Sequence, residues 1–174
     1  MPELPEWEEE QRPTGGPMEV SFREMRPEDM DAIYFLDQNC HGEAHRFTFG
    51  GLMGVMLDRE VVTLVAEVKE REFSRLGGVL IVRSDPWNHR LHVVALMVHP
   101  DYRRLGIGRR LLVWAEHFGQ GYQCREMLIP LEEGNPGGEA FLVAAGFSRT
   151  DRTETRFARG PDHLLWQRPV AERP

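Results

Sequence analysis

The sequence is poor in three features, each of which would define a class of protein. It has two cysteines in 174 residues, Cys40 and Cys124, far apart and outside any metal-binding spacing. That excludes a disulfide framework and indicates reduced thiols in a cytoplasmic protein. Its apolar runs are too short for a transmembrane helix, so no membrane partner is expected. It lacks an excess of positive charge and has a net charge of −7. That charge disfavours a nucleic-acid partner reached by long-range attraction.

The remaining composition is that of one globular domain with an acidic N-terminal segment. Apolar residues make up 41% of the chain and charged residues 28%, which are ordinary values for a chain with one buried core. Residues 1–17 are rich in glutamate and proline and have neither a basic stretch nor an apolar centre. They predict a disordered tail rather than a secretory signal. We expect the folded domain to span residues 18–170.

Hydrophobic spacing along this domain predicts a mixed α/β fold. The helical signals are Pro27 ahead of an apolar face, the segment 52–57, the segment from Ile107 to Phe118, and a last helix that starts at Asn135-Pro136 and runs to Ala145. Alternating or uniformly apolar segments predict strands near residues 20–22, 61–68, 76–82, 91–98, 127–131, 147–157 and 163–167. Gly119 and Gly121 are expected to end the third helix. Trp87 and Trp114 are expected to be packing residues.

The clearest functional signal lies between the apolar strand at 91–98 and the helix that follows it. The connecting residues are Arg103-Arg104-Leu105-Gly106-Ile107-Gly108, whose glycines allow a ligand to approach the backbone closely. The helix directs unpaired N–H groups and the positive end of its dipole to the same place, which favours a pyrophosphate. No Lys-Ser/Thr follows the glycines, so the segment is not a nucleoside triphosphate loop. Leu111 replaces the third glycine of the dinucleotide motif.

This segment resembles the acetyl-CoA motif of the Gcn5-related N-acetyltransferase (GNAT) family. Arg103-x-x-Gly106-x-Gly108 matches the family pattern Gln/Arg-x-x-Gly-x-Gly/Ala, and Val98-His99-Pro100 matches the end of the preceding family strand. A second family signature is an asparagine followed eleven and twelve residues later by Gly-Phe. Here it is matched by Asn135 and Gly146-Phe147.

The resemblance covers residues 18–168 in the order of elements and implies a fold, a cosubstrate and a binding site. The implied fold is a mixed, mostly antiparallel central sheet flanked by helices and splayed open at strand 91–98. Acetyl-CoA would lie with its pantetheine arm along that strand and its pyrophosphate in the glycine turn, and the backbone N–H of Val98 would polarise the thioester carbonyl. The implied cofactor-binding residues are Leu96, Met97, Val98, Arg103, Arg104, Leu105, Gly106, Ile107, Gly108, Arg109 and Asn135.

Two positions depart from the family pattern. Many members place a tyrosine seven residues after the asparagine as the acid, and here that residue is Leu142. The ribosomal-protein acetyltransferases place a glutamate five residues before the asparagine as the base, and here that residue is Pro130. The acid would then be Tyr102, Tyr122 or water. The resemblance therefore supports cofactor binding better than it supports a particular acid or base.

Two residues are candidates for the base that the reaction requires. His92 lies on the central strand with the parity of Leu96 and Val98, at an offset where the arylalkylamine acetyltransferases carry a histidine. The alternative is a partly exposed residue at the end of the strand. Glu132 lies two residues beyond Pro130, on the same strand face if no bulge intervenes. The alternative for Glu132 is a solvated loop carboxylate.

The resemblance therefore implies an N-acetyltransferase that moves acetyl from acetyl-CoA to a primary amine by direct attack. The acceptor would be a protein N-terminus, a polyamine, an aminoglycoside or another small amine. The loop with His41, Glu43 and His45 is expected to line the acceptor site rather than to bind a metal. A non-catalytic acyl-CoA-binding module with the same fold is the alternative function. The apolar residues 164–166 would serve either a homodimer or the core.

Overall fold

The computed structural model describes residues 18–70, 73–150 and 163–171. Its strands are β1 (Met18–Glu24), β2 (Val61–Glu70), β3 (Phe73–Asp85), β4 (Arg90–Val98), β5 (Glu126–Glu132), β6 (Ser148–Thr150) and β7 (His163–Pro169). Its helices are α1 (Met30–Cys40), α2 (Phe49–Met56), α3 (Ile107–Gly121) and α4 (Pro136–Ala144). The predicted disordered tail at 1–17 and most of the predicted strand at 147–157 lie outside the described residues.

The strands form one sheet in the order β1-β2-β3-β4-β5-β7-β6. Within the described residues the pairs are antiparallel except for β4 and β5, which run parallel from Arg90↔Glu126 to His92↔Leu128. Beyond His92 the two strands part: β4 continues along β3 to Val98, while β5 continues along β7. This geometry confirms the mostly antiparallel, splayed sheet that the family resemblance implied.

Helices cover both faces of the sheet and create two cores. On one face α3 and α4 bury residues such as Leu111, Trp114 and Leu142 against the strands. On the other face α1 and α2 bury residues such as Ile33 and Leu52. None of the helices in the described part of the chain is both long enough and apolar enough to span a bilayer.

A β-bulge interrupts β4 at Val94. The pairing with β3 changes from Val82↔Val93 to Ile81↔Ala95, so Val94 is an extra residue on its strand. An extra residue reverses the alternation of side chains between faces on one side of the bulge relative to the other.

The bulge corrects one prediction. Leu91, before the bulge, packs in the same core as Leu96 and Val98, which follow it. His92 comes directly after Leu91 and therefore lies on the opposite face. The prediction that His92 shares a face with Leu96 and Val98 is wrong, because parity counted along a sequence cannot register an inserted residue.

An ion-pair cluster anchors the start of α1 to the sheet. Arg23 of β1 donates two hydrogen bonds to the Asp29 carboxylate, at 2.6 and 2.9 Å, and one to Glu67 of β2 at 3.0 Å. The hydrogen bond from Arg23 is the main cause that holds the pKa of Asp29 below its usual value. The N-terminal end of α1 is thereby fixed against β1 and β2.

Three further predictions met different outcomes. Trp114 is 2% exposed, as expected for a core residue, but Trp87 is 93% exposed in the β3–β4 turn, so its predicted packing role is wrong. Gly119 lies inside α3 rather than at its end, where a Cβ would come within 3.3 Å of Leu91. Residues 164–166 pack into or against the core.

Candidate active site

The turn between β4 and α3 forms a cradle of backbone N–H groups. Arg104 and Gly106 both have left-handed backbone conformations, with φ of 65° and 76°, and such residues turn neighbouring N–H groups to one side. The first intrahelical bond of α3 runs from Arg110 N–H to the Gly106 carbonyl. The N–H groups of residues 107–109 therefore have no hydrogen-bond acceptor within the helix, and they project from its positive end. This geometry fits a pyrophosphate.

The two glycines of the motif have different structural roles. Gly106 needs its left-handed conformation, and a Cβ built on it would meet no atom within 4 Å. Gly108 would carry a Cβ 3.2 Å from the Phe141 ring of α4. The sequence predicted that both admit a ligand, and the structure gives Gly108 a packing role as well.

The other cofactor-binding candidates lie around this cradle. Arg103, Arg104 and Arg109 are exposed there. Asn135 caps α4, where its side-chain oxygen accepts a hydrogen bond from Gly138 N–H at 2.9 Å. A structural role accounts for that oxygen, so contact between Asn135 and the cofactor stays a prediction.

The β4 edge that faces the gap between β4 and β5 presents backbone groups of alternate residues. The N–H of His99 bonds to Gly77, which directly precedes Gly78 on β3, at 2.9 Å and so points away from the gap. Because successive N–H groups of a strand point in opposite directions, those of Leu96 and Val98 face the gap and that of Met97 faces β3. The Val98 carbonyl faces the gap too, where it accepts a hydrogen bond from Arg103 Nε at 3.2 Å.

The end of α1 bridges the gap. Cys40 Sγ lies 3.6 Å from the Val98 carbonyl at the end of β4. His41 Nδ1 lies 2.8 Å from Glu132 Oε1 at the end of β5. Two adjacent residues of one helix end therefore contact the ends of both diverging strands.

A buried carboxylate supports this bridge from within α1. The Asp37 side chain is 0% exposed, and its Oδ1 lies 3.8 Å from His41 Nε2. Its Oδ2 accepts hydrogen bonds from Phe47 N–H at 2.7 Å and from the Gln38 amide at 3.3 Å. The His41 imidazole is thus flanked by two carboxylates, one on each nitrogen.

Sequence reasoning missed this arrangement in part. His41 was expected to line the acceptor site, and Glu132 was a candidate base, but the contact between them was not predicted. Their separation of 91 positions leaves no local signal. The i,i+4 spacing of Asp37 and His41 was the one available clue. In the described part of the chain, no group of three His, Cys, Asp or Glu side chains is arranged to hold a metal ion.

The structure places the two candidate bases at opposite ends of the diverging strands. The pairing of β5 with β7 has no register shift, so Glu132 shares a face with Pro130, and it lies at the open end of the gap. His92 pairs with Leu128 where the strands are still joined, is 8% exposed, and has its Nε2 4.0 Å from Asp85.

The candidate acids lie away from the gap. Tyr102 is buried against Gly77, and burial is the main cause that raises the pKa of its phenol. Its hydroxyl interacts with Glu70 of β2, two strands from the gap. Tyr122 follows the last residue of α3, about 20 Å of helix from the cradle. Leu142, at the family's tyrosine position, is 1% exposed in the core.

Both thiols are held in their protonated form. Burial raises the pKa of Cys40 above its usual value, and burial raises the pKa of Cys124 to about 11. A thiol is nucleophilic only as the thiolate, so neither cysteine is activated at neutral pH.

Comparison with known proteins identifies the family. The acetyltransferase (GNAT) family matches residues 18–147, which is more than half of the chain, and the protein belongs to this family. Its members use acetyl-CoA, and the open edge of β4 and the adjacent cradle fit that cosubstrate. The protein is therefore an acetyl-CoA-dependent acetyltransferase. Among curated proteins, none matches this chain.

Solved structures show the same fold at low sequence identity. The ribosomal-protein-S18-alanine N-acetyltransferase of Escherichia coli has a TM-score of 0.69 and 16% identity, covering 90% of this chain and 97% of its own. Nourseothricin acetyltransferase has a TM-score of 0.67 and 20% identity, covering 87% and 99%. The PaiA N-acetyltransferase of Thermoplasma acidophilum, in complex with coenzyme A, has a TM-score of 0.69 and 15% identity, covering 87% and 99%.

Proposed function

We propose that this protein transfers the acetyl group of acetyl-CoA to a primary amine by direct attack, with Glu132 as the general base. One observation carries the proposal: the open edge of β4, which ends beside the pyrophosphate cradle, faces a carboxylate at the end of β5 across the gap. A thioester placed along that edge is within reach of both the Val98 N–H and the acceptor site.

The backbone of β4 and α3 would bind the cosubstrate. The N–H groups of the cradle and the helix dipole would hold the pyrophosphate, with Arg103, Arg104 and Arg109 adding positive charge. The pantetheine arm would pair with the edge that carries Leu96 and Val98, as an added strand pairs with an open sheet edge. The N–H of Val98 would donate to the thioester oxygen as negative charge develops on it.

Glu132 would take the proton that the amine must lose. A protonated amine that binds at the open end of the gap transfers a proton to the carboxylate, directly or through a water, and its lone pair then attacks the thioester carbon. The C–N bond forms and the C–S bond breaks, the new amide nitrogen loses its second proton to water, and the departing thiolate takes a proton from water. Water is the acid in this scheme because Tyr102, Tyr122 and Leu142 all lie away from the gap.

The state of the cysteines supports direct transfer. An acyl-enzyme on cysteine would require a thiolate, and burial raises the pKa of both thiols. Cys40 also uses its Sγ in contact with the Val98 carbonyl. The same reduced thiols fit a cytoplasmic protein.

Calorimetric titration with acetyl-CoA, followed by an assay of CoA thiol release, tests the proposal. The acceptor panel contains a peptide with an N-terminal alanine, nourseothricin and a polyamine, and includes the acceptors that the names of two structural neighbours indicate. We expect binding of acetyl-CoA and thiol release with at least one amine. Binding without release on every amine would favour the non-catalytic CoA-binding module, and absence of binding would overturn both functions.

A further inference from the structure

The Glu132 carboxylate would be mobile without a partner, because it ends a strand next to a loop. Its side chain is 19% exposed, and β5 pairs only with β7 at this point among the described residues. A base must lie within hydrogen-bonding distance of the proton that it removes, so a freely rotating carboxylate is a poor one. The 2.8 Å contact with His41 fixes one of its two oxygens.

The chemistry of this contact assigns the proton. An ionised carboxylate can only accept hydrogen bonds, so His41 Nδ1 carries the hydrogen that is donated to Glu132 Oε1. Oε2 accepts a long hydrogen bond from the Gly42 N–H at 3.5 Å, and a carboxylate oxygen can accept from a second partner as well. The imidazole therefore holds one oxygen firmly, and the weakly bonded Oε2 is the one available to the amine.

Asp37 lies beside the other nitrogen of the imidazole. Its carboxylate is completely buried, lies 3.8 Å from His41 Nε2, and accepts a hydrogen bond from Phe47 N–H at 2.7 Å. Gln38 donates to both the Asp37 carboxylate and the Phe47 carbonyl, which joins the loop after α1 to the helix. These hydrogen bonds to a buried carboxylate hold the helix end that carries His41 in one position.

We infer that His41 is a positioning residue for acetyl transfer: it holds the Glu132 carboxylate at the gap, and the hydrogen bonds of Asp37 anchor the helix end that carries it. The inference rests on the proposed role of Glu132 as the base. His41 acts as a hydrogen-bond donor and does not carry the proton taken from the amine.

Three substitutions at His41 test this inference. The amide nitrogen of asparagine lies as many bonds from Cα as Nδ1, so His41→Asn keeps a donor to Glu132 and cannot titrate. Glutamine places its amide nitrogen where Nε2 lies, so His41→Gln reaches Asp37 instead, and His41→Ala reaches neither. We expect kcat to fall about 10–100-fold in His41→Ala and His41→Gln, since a misplacement of about 1 Å costs about 100-fold. His41→Asn should stay within about threefold of the wild type.

The controls separate this inference from the proposed function. His117→Asn changes an exposed histidine of α3 and should leave kcat unchanged. All variants should bind acetyl-CoA with the wild-type Kd. A wild-type kcat in His41→Ala, or an equal loss in His41→Asn and His41→Ala, would overturn the inference while the function stands. A wild-type kcat in Glu132→Gln would instead show that Glu132 is not the general base, which would overturn that part of the proposed function.

A measurement that needs no turnover completes the test. The ¹⁵N shifts of the His41 imidazole should show a protonated Nδ1 in the wild type and should change in Glu132→Gln. An Nδ1 without a hydrogen at neutral pH would overturn the inference even if no acceptor amine were found.

Discussion

The two sides of the gap between β4 and β5 are built from different groups. The proposed cofactor side, at residues 96–109, consists of backbone groups: a strand edge, two left-handed residues and a helix start. The proposed acceptor side consists of side chains from distant segments, Asp37, His41 and Glu132. Backbone sites are encoded by glycines and helix patterns over a dozen neighbouring residues, whereas side-chain sites depend on contacts that only the folded chain creates.

The difference predicts that substitutions on the two sides affect separate steps of the reaction. Changes on the acceptor side should alter kcat and leave the Kd for acetyl-CoA unchanged. Changes on the cofactor side should raise the Kd for acetyl-CoA and leave kcat, measured at saturating concentrations of both substrates, unchanged. Four substitutions test whether this separation holds.

The largest effect is expected from Glu132→Gln. Glutamine preserves the shape and a hydrogen bond to His41 but cannot accept a proton from the amine. We expect kcat to fall about 10²–10⁴-fold, the usual contribution of a general base, with an unchanged Kd for acetyl-CoA by calorimetry. A change in Kd with unchanged kcat would contradict the separation of the two sides.

The next effect is expected from Gly106→Trp. A side chain at this left-handed position fills the cradle, and we expect the Kd for acetyl-CoA to rise at least about 100-fold, equivalent to about 2.7 kcal/mol. Left-handed strain costs about 1–2 kcal/mol in stability. Gly146→Trp is the matched control, because Gly146 has a similar φ of 82° after α4. It should lose similar stability and keep the wild-type Kd, and equal loss of binding in both variants would disprove a local effect.

A smaller effect is expected from Leu142→Tyr, which restores the family's tyrosine. Because Leu142 is 1% exposed in the core under α4, the larger side chain should lower the free energy of unfolding by about 1–3 kcal/mol. Urea denaturation measures this, with Val143→Tyr as an exposed control on the same helix. An increase in kcat would show instead that position 142 reaches the departing thiol.

The smallest effect is expected from His92→Asn. Since His92 lies at the closed end of the strands and faces Asp85, kcat should stay within about threefold of the wild type, less than about 1 kcal/mol in the barrier. Steady-state kinetics beside Glu132→Gln distinguishes the two candidate bases. A large loss in His92→Asn and a small one in Glu132→Gln would reverse their assignment.

The sequence was sufficient to predict the fold class, the element order and the turn between β4 and α3, while the contacts of that turn with acetyl-CoA stay a prediction. These predictions rest on local signals, which determine local structure: periodic apolar residues, Pro136 at a helix start and Gly146 after a helix. The bulge at Val94 was not predictable, because nothing in an apolar run marks which residue is unpaired. It reversed the predicted face of His92, and only pairing with β3 reveals it.

The contact between His41 and Glu132 was not predicted, for a related reason. His41 and Glu132 meet because α1 packs across the end of the sheet, and each residue alone looks like an ordinary polar loop residue. Trp87 shows the opposite error, since an aromatic side chain predicted to be buried lies at an exposed turn. In both cases the tertiary arrangement determines where the side chain lies, and residue type and spacing do not predict it.

The contact of Cys40 with Val98 beside that of His41 with Glu132 has a thermodynamic consequence. A pantetheine arm that enters along β4 must share or displace the Cys40 contact, and any shift of Cys40 is transmitted through one peptide bond to His41. Binding of acetyl-CoA and binding of the amine are then linked equilibria, and each must change the affinity of the other by the same factor. The affinity for the acceptor would therefore differ between the free protein and its complex with acetyl-CoA.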